Sequence, residues 1–287
     1  MEEKLIIFAA LGYPGKADPA LPAIPASWEE VVESAVAARK AGASIVHLHG
    51  PVDREDKTIP DGWARLTEDI RKQCDVLVDF GRASSPLEER KTLLRLGTGK
   101  PDFMGICLSE HDYLSLRGVR DVKFVHTRSE LEEYARCCLE TGVKPCWEVW
   151  HLGGIWNFNY LAAQGLVAKP YWLELFFGTE GGTWSPPTPE EISHRINNLP
   201  ADSVYMVAPR GTAGPIGQTR MAAFVVIKGG HLRLGGQDIP YYADGVPAQS
   251  NAQLIERIVR IAKELGREIA TPADTRRILG LSPARGR

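Results

Sequence analysis

The sequence is short of every feature that marks a special environment. Its 287 residues hold five cysteines, at 74, 107, 137, 138 and 146, and no two of them form a Cys-x-x-Cys pair. An odd number without that spacing argues against a disulfide framework and against a four-thiolate zinc site. Long apolar runs are missing as well. The longest, such as Leu5–Leu11 and Met221–Ile227, fall far short of the ~20 residues that span a bilayer. The opening Met-Glu-Glu-Lys-Leu-Ile-Ile lacks the basic segment, apolar stretch and cleavage site of a secretory leader, so a cytoplasmic location is expected. There is no block of like charge: 34 Lys and Arg against 36 Asp and Glu leave a net charge of −2. Partners that demand concentrated basic charge, nucleic acid and membrane surfaces, are therefore not expected. A Gly-x-Gly-x-x-Gly turn is also absent. The first strand is followed by Leu11-Gly12-Tyr13-Pro14-Gly15, whose spacing does not suit a doubly wound nucleotide fold.

What is present is a regular alternation. Apolar runs of strand length fall at Leu5–Ala10, Ile45–Leu48, Val76–Phe80, Phe103–Ile106, Lys144–Val149, Trp172–Phe177, Val204–Ala208 and Leu232–Leu234. They are continuous rather than alternating, as in strands covered on both faces. Helix signals lie between them. Ser27-Trp28-Glu29-Glu30 reads as a capping box before Val31–Ala41, Asn251–Leu265 carries one apolar face and stops at Gly266, and Thr271-Pro272 opens a last helix. A further short run, Val122–Val125, interrupts the count after the fourth strand. Eight β/α units with no Gly/Ser linker between them predict a (β/α)8 TIM barrel, residues 1–287 as a single α/β domain, with its chemistry at the C-terminal ends of the strands.

The strongest local signal there is Ile45-Val46-His47-Leu48-His49. Residues two apart in a strand share a side, so His47 and His49 both face the barrel mouth, either as half of a metal site or as structural imidazoles. In Arg233-Leu234-Gly235-Gly236-Gln237-Asp238, Arg233 is suited to grip a carboxylate and Asp238 to move a proton, unless the two form an ordinary ion pair. Glu148 lies inside an apolar strand, where a bare carboxylate is expensive, and Asp79 ends the third strand by the same logic. Glu174 is a weaker case of the same kind, a candidate unless its side faces the helices. Arg210 puts one cation in the small-residue loop Pro209–Pro215 after the seventh strand.

At these residues the chain resembles the β-keto acid cleavage enzymes, the family of the 3-keto-5-aminohexanoate cleavage enzyme. The likeness runs through Leu21-Pro22-Ala23-Ile24-Pro25, Ala41-Gly42-Ala43-Ser44-Ile45-Val46-His47-Leu48-His49 and Gly142-Val143-Lys144-Pro145-Cys146-Trp147-Glu148-Val149. It continues through Gly229-Gly230-His231-Leu232-Arg233-Leu234-Gly235, Gln249-Ser250-Asn251-Ala252-Gln253-Leu254 and Leu265–Pro272. The resemblance implies a homo-oligomeric, zinc-bound TIM barrel that cleaves a β-keto acid with acetyl-CoA as co-substrate. It makes His47 and His49 metal ligands, Arg233 and Asp238 the catalytic pair, and Glu148 an active-site glutamate. Zinc or another divalent metal is the implied cofactor.

The departures from the family pattern are as informative. Where the pattern has a ligating Glu, this chain has Gln237, a neutral oxygen donor that leaves the full charge on the metal. The third strand ends Phe80-Gly81-Arg82-Ala83-Ser84 instead of in a Ser/Thr-Gly stretch, which makes Arg82 and Ser84, with Arg210, the substrate-binding residues expected here. Gly105 and Cys107 stand for a Thr and an Asn, and Gly15 for an acidic residue. Two other readings remain open on sequence. One is a metal-assisted hydrolase or retro-aldol lyase that needs no CoA; the other is a degenerate barrel that binds a small acid without turning it over.

Overall fold

The computed structural model describes residues 3–12, 18–50, 59–83, 85–116, 119–178, 185–210 and 214–282. Eight parallel strands close a barrel. They are β1 (Ile7–Ala10), β2 (Ile45–Leu48), β3 (Leu77–Phe80), β4 (Phe103–Cys107), β7 (Lys144–Val149), β8 (Tyr171–Phe177), β9 (Ser203–Pro209) and β10 (His231–Leu234), each bonded to the next and β10 back to β1. Between β4 and β7, β5 (Glu110–Leu116) and β6 (Val119–Val125) pair as an antiparallel hairpin outside the barrel. The run Val122–Val125 belongs to this hairpin and is not a barrel strand. All eight expected strands are present, their ends moved by at most two residues.

The outer layer comprises α1 (Trp28–Ala41), α2 (Ile59–Gln73), α3 (Leu87–Leu94), α4 (Arg128–Thr141), α5 (Leu152–Ala163), α6 (Pro189–Asn197), α7 (Gly214–Ile227) and α8 (Asn251–Glu264), followed by α9 (Pro272–Ile278). The Ser27 side chain accepts from the Glu30 N–H as its capping box requires. The reciprocal bond is displaced by one residue, because Glu30 Oε2 accepts from Ala26 N rather than from Ser27. At Thr271 and Asp274 both halves of the box are made. Each such cap satisfies amides that the first helical turn leaves without partners.

Strand parity divides the core in two. Val46, Val78, Met104, Trp147, Leu173, Val207 and Leu232 point outward into the large cluster shared with the helices. Ile6, Phe8, Ile45, Leu77, Phe103, Cys146, Trp172 and Met206 point inward and fill the lower barrel, closed beneath by Ile278 and Leu279 at the end of α9. Two residues above Ile45, Leu77, Cys146 and Trp172, on the same side of each strand, come His47, Asp79, Glu148 and Glu174, and Arg233 stands likewise two above His231. The upper lumen is thus polar because the sequence places ionisable residues at every second position above an apolar plug.

Candidate active site

His47 and Asp79 are register partners on β2 and β3. Asp79 Oδ2 lies 2.5 Å from His47 Nδ1, and both side chains are almost fully buried. With Nδ1–H donating to the carboxylate, His47 Nε2 is left with its lone pair toward the mouth. There it meets His49 Nε2 at 2.9 Å. Burial, and then the Arg233 charge, hold His47 well below the usual imidazole range; burial and His47 itself do the same to His49. Both rings are therefore neutral, the form that binds metals. Gly81, directly after β3, makes this packing possible, since a Cβ there would lie 2.6–2.8 Å from ring atoms of both histidines.

The third group arrives from the turn after β10. Gly235 adopts φ +151°, and a side chain on it would run into the Ala10 carbonyl at 2.1 Å. Gly236 N–H donates to Asn251 Oδ1, and the Asn251 amide ties the turn to the Leu11 and Ala23 carbonyls. This places the Gln237 side-chain nitrogen 2.8 Å from His49 Nε2 and leaves Gln237 Oε1 buried without a partner. Three nitrogens facing one another cannot all be satisfied, and an amide turned over presents its oxygen instead. Two imidazole lone pairs and a carboxamide oxygen are a donor set that suits a divalent cation. Among the described residues, no three His, Cys, Asp or Glu side chains gather into such a group. Asp79 and Glu148 are both engaged elsewhere, Asp79 behind His47 and Glu148 with an indole.

Arg233 is the hub of the remaining polar atoms. Its Nε and Nη2 donate to the two oxygens of Asp238 at 3.0 and 3.2 Å, and its Nη1 donates to Glu174 Oε1 at 3.0 Å. Arg210 Nε adds a second cation 3.3 Å from Asp238 Oδ1. Burial pushes the Asp238 carboxyl up, but Arg233 and Arg210 outweigh it and hold the group below the usual carboxylate range. Glu148 accepts from Trp150 Nε1 at 3.1 Å, and Gly105 leaves its other oxygen room that a Cβ, 2.5 Å away, would fill. Burial raises Glu148, with Glu174 adding to it; Glu174 also rises through burial although Arg233 opposes. Burial likewise lifts Asp79 to about 7. Four buried carboxyl groups thus face two guanidiniums, an imbalance that protons or one divalent cation can neutralise.

Arg82 stands at the same mouth and its charge reaches His49. It is ion-paired with Glu89 and lies 5.9 Å from the Trp63 ring. Ser84 lies outside the described residues, as does Gly15.

The beta-keto acid cleavage enzyme family profile matches residues 4–281. The chain belongs to the beta-keto acid cleavage enzyme family. It is 33% identical over 287 residues to the 3-keto-5-aminohexanoate cleavage enzyme of Acetoanaerobium sticklandii, covering 98% of this chain and 99% of that one. To the 3-dehydrocarnitine:acetyl-CoA trimethylamine transferase of Rhizobium meliloti it is 30% identical over 280 residues, 90% of each. Among solved structures, apo ObcA superposes with a TM-score of 0.73 at 15% identity, over 93% of this chain and 66% of ObcA, a likeness of fold.

Within this beta-keto acid cleavage enzyme family member, sequence reasoning missed two residues of the site. Glu174 was only the weaker candidate, its direction left open; it shares the inward side of β8 with Trp172 and Phe176 and bonds Arg233. Leu173 and Leu175 on either side of it face the helix layer. Trp150, stacked between Phe176 and His111 at 4.2 and 4.6 Å, carries the hydrogen bond to Glu148.

Proposed function

We propose that this chain catalyses metal-dependent cleavage and acyl transfer on a β-keto acid with acetyl-CoA as co-substrate, yielding acetoacetate and a new acyl-CoA. The observation that carries the reading is the juxtaposition, in a member of this family, of the His47–His49–Gln237 donors with the Arg233–Asp238 pair. His47, His49 and Gln237 would hold zinc or another divalent ion. Such an ion, when bound, supplies a Lewis acid for a keto oxygen.

The protein's own groups do the rest. Asp238 is ionised at neutral pH and is the base that takes the proton from substrate. Arg233 holds both carboxylate oxygens and so fixes their direction, while Glu174 anchors Arg233 from below. Glu148, fixed by Trp150, orients substrate from across the lumen. Arg210 and Arg82 offer cations to acidic groups of the substrate, and Ser84, two positions after Arg82 in the sequence, is the third residue assigned to substrate binding. The likeness to the 3-dehydrocarnitine:acetyl-CoA trimethylamine transferase favours acetyl-CoA as co-substrate.

The test is a panel of β-keto acids with the purified protein, acetyl-CoA consumption being followed alongside acetoacetate formation. Stoichiometric loss of acetyl-CoA with a new acyl-CoA supports the proposal. Turnover of keto acid without any acyl-CoA would move the chain to the hydrolase or retro-aldol class. Binding without turnover across the panel would leave it a binding barrel.

A further inference from the structure

A second pocket opens at the opposite end of the barrel, at the feet of β7 and β8. It holds about 170 Å3, and its walls include Trp147, Leu166, Val167, Trp172 and Leu281. Lys144, at the start of β7, carries the one charge among the described residues that line it. Lys144 lies four positions before Glu148 along one strand, about 13 Å at the rise of a β-strand, so this pocket is distinct from the site above.

Two donors in the wall have nothing to bond. Lys144 is 8% exposed, and no side chain or carbonyl among the described residues pairs with its ammonium. Burial is the one influence on it and brings it down to about 8. The Trp172 indole is 1% exposed, and its Nε1–H has no acceptor. A largely desolvated lysine without counter-charge and a buried N–H without acceptor each cost stability unless something completes them. The two residues lie on adjacent strands and line one cavity.

We propose that this lower pocket binds a small monocarboxylate with an apolar body. Its carboxylate accepts from the Lys144 ammonium and the Trp172 N–H, and its body lies against Trp147, Leu166 and Val167. One ammonium and one N–H match one planar pair of oxygens. The inference is independent of the chemistry assigned to the upper site.

Titration of the full chain with benzoate, read by calorimetry and tryptophan fluorescence, tests it. One saturable site per chain is expected with a Kd in the millimolar range or below, and neutral benzamide should bind at least about tenfold more weakly. Lys144→Met removes a buried charge while keeping length and is expected to fold and to lose at least about tenfold in affinity. Trp172→Phe removes the N–H together with part of the ring and supplies a second variant with weakened binding. Arg210→Met, at the other end of the barrel, should leave benzoate binding unchanged. Absence of saturation, full-strength binding in both lower-pocket variants, or loss of binding in Arg210→Met would overturn the proposal.

Discussion

The Gln237 carboxamide sits 2.8 Å from His49 Nε2 with its oxygen buried and unpartnered. A glutamate in this place would bring a full negative charge to the same point, whereas the amide brings only a dipole. The charge count of a ligand set tunes affinity for a divalent ion over orders of magnitude. Gln237→Glu is therefore expected to tighten zinc binding by at least about tenfold, measured by competition with a chromogenic chelator. Equal or weaker affinity in the variant would mean that residue 237 does not face the ion.

Gly81→Ala should empty the same site without unfolding the barrel. The added methyl would press on His47 and His49 at 2.6–2.8 Å, and neither ring can retreat, because His47 is held by Asp79 and His49 packs edge-on to His47. The expected outcome is metal affinity reduced at least about tenfold, with circular dichroism unchanged. Full metal retention would show that the loop yields instead.

Glu174 supports Arg233 from beneath, and its removal should be felt both in folding and in turnover. Glu174→Leu leaves Arg233 Nη1 buried and unpaired, at a cost of about 3–5 kcal/mol, while Glu174→Gln keeps an acceptor and should lose less. In kinetics the glutamine variant is expected to lower kcat more than it raises KM, because Asp238 loses its direction rather than the substrate its contacts. Urea unfolding and steady-state assays measure the two effects. A leucine variant as stable as the parent would remove Glu174 from this role.

His231 gives the fold an acid-sensitive point away from the site. Its Nδ1 accepts from the Ile6 N–H at 3.0 Å, and burial brings it down to about 3. The unfolded chain takes up this proton near pH 6.5 and the folded chain only near 3. The contribution is thus fully present above pH 6.5 and is lost as pH falls toward 3, by up to about 1.4 kcal/mol per pH unit. His231→Asn retains an acceptor at the Nδ1 position and does not titrate, so its stability should fall less steeply between pH 6.5 and 4.5. Parallel slopes for the two proteins would contradict the assignment.

Much of this was legible from the sequence because barrel strands repeat a simple pattern. Continuous apolar runs marked all eight strands, and His-x-His with Arg–x4–Asp marked two sides of the mouth. Parity along β8 was harder to read. Its run is buried on both faces, so no alternation showed that Glu174 points inward. The role of Asp79 behind His47 depends on the register of β2 against β3, which a single strand does not reveal. Trp150 becomes a partner of Glu148 only once β7 has ended and the chain has turned. Arg82 was read as a free cation for substrate, yet Glu89, seven residues on at the start of α3, comes back to pair with it.

The most direct measurement is the divalent metal content of the purified protein, by mass spectrometry, beside that of His47→Ala. The account predicts about one ion per chain in the parent, bound after dialysis against metal-supplemented buffer, and its loss in His47→Ala with the fold intact. A parent that takes up no ion, or a His47→Ala variant that holds as much as the parent, would contradict it.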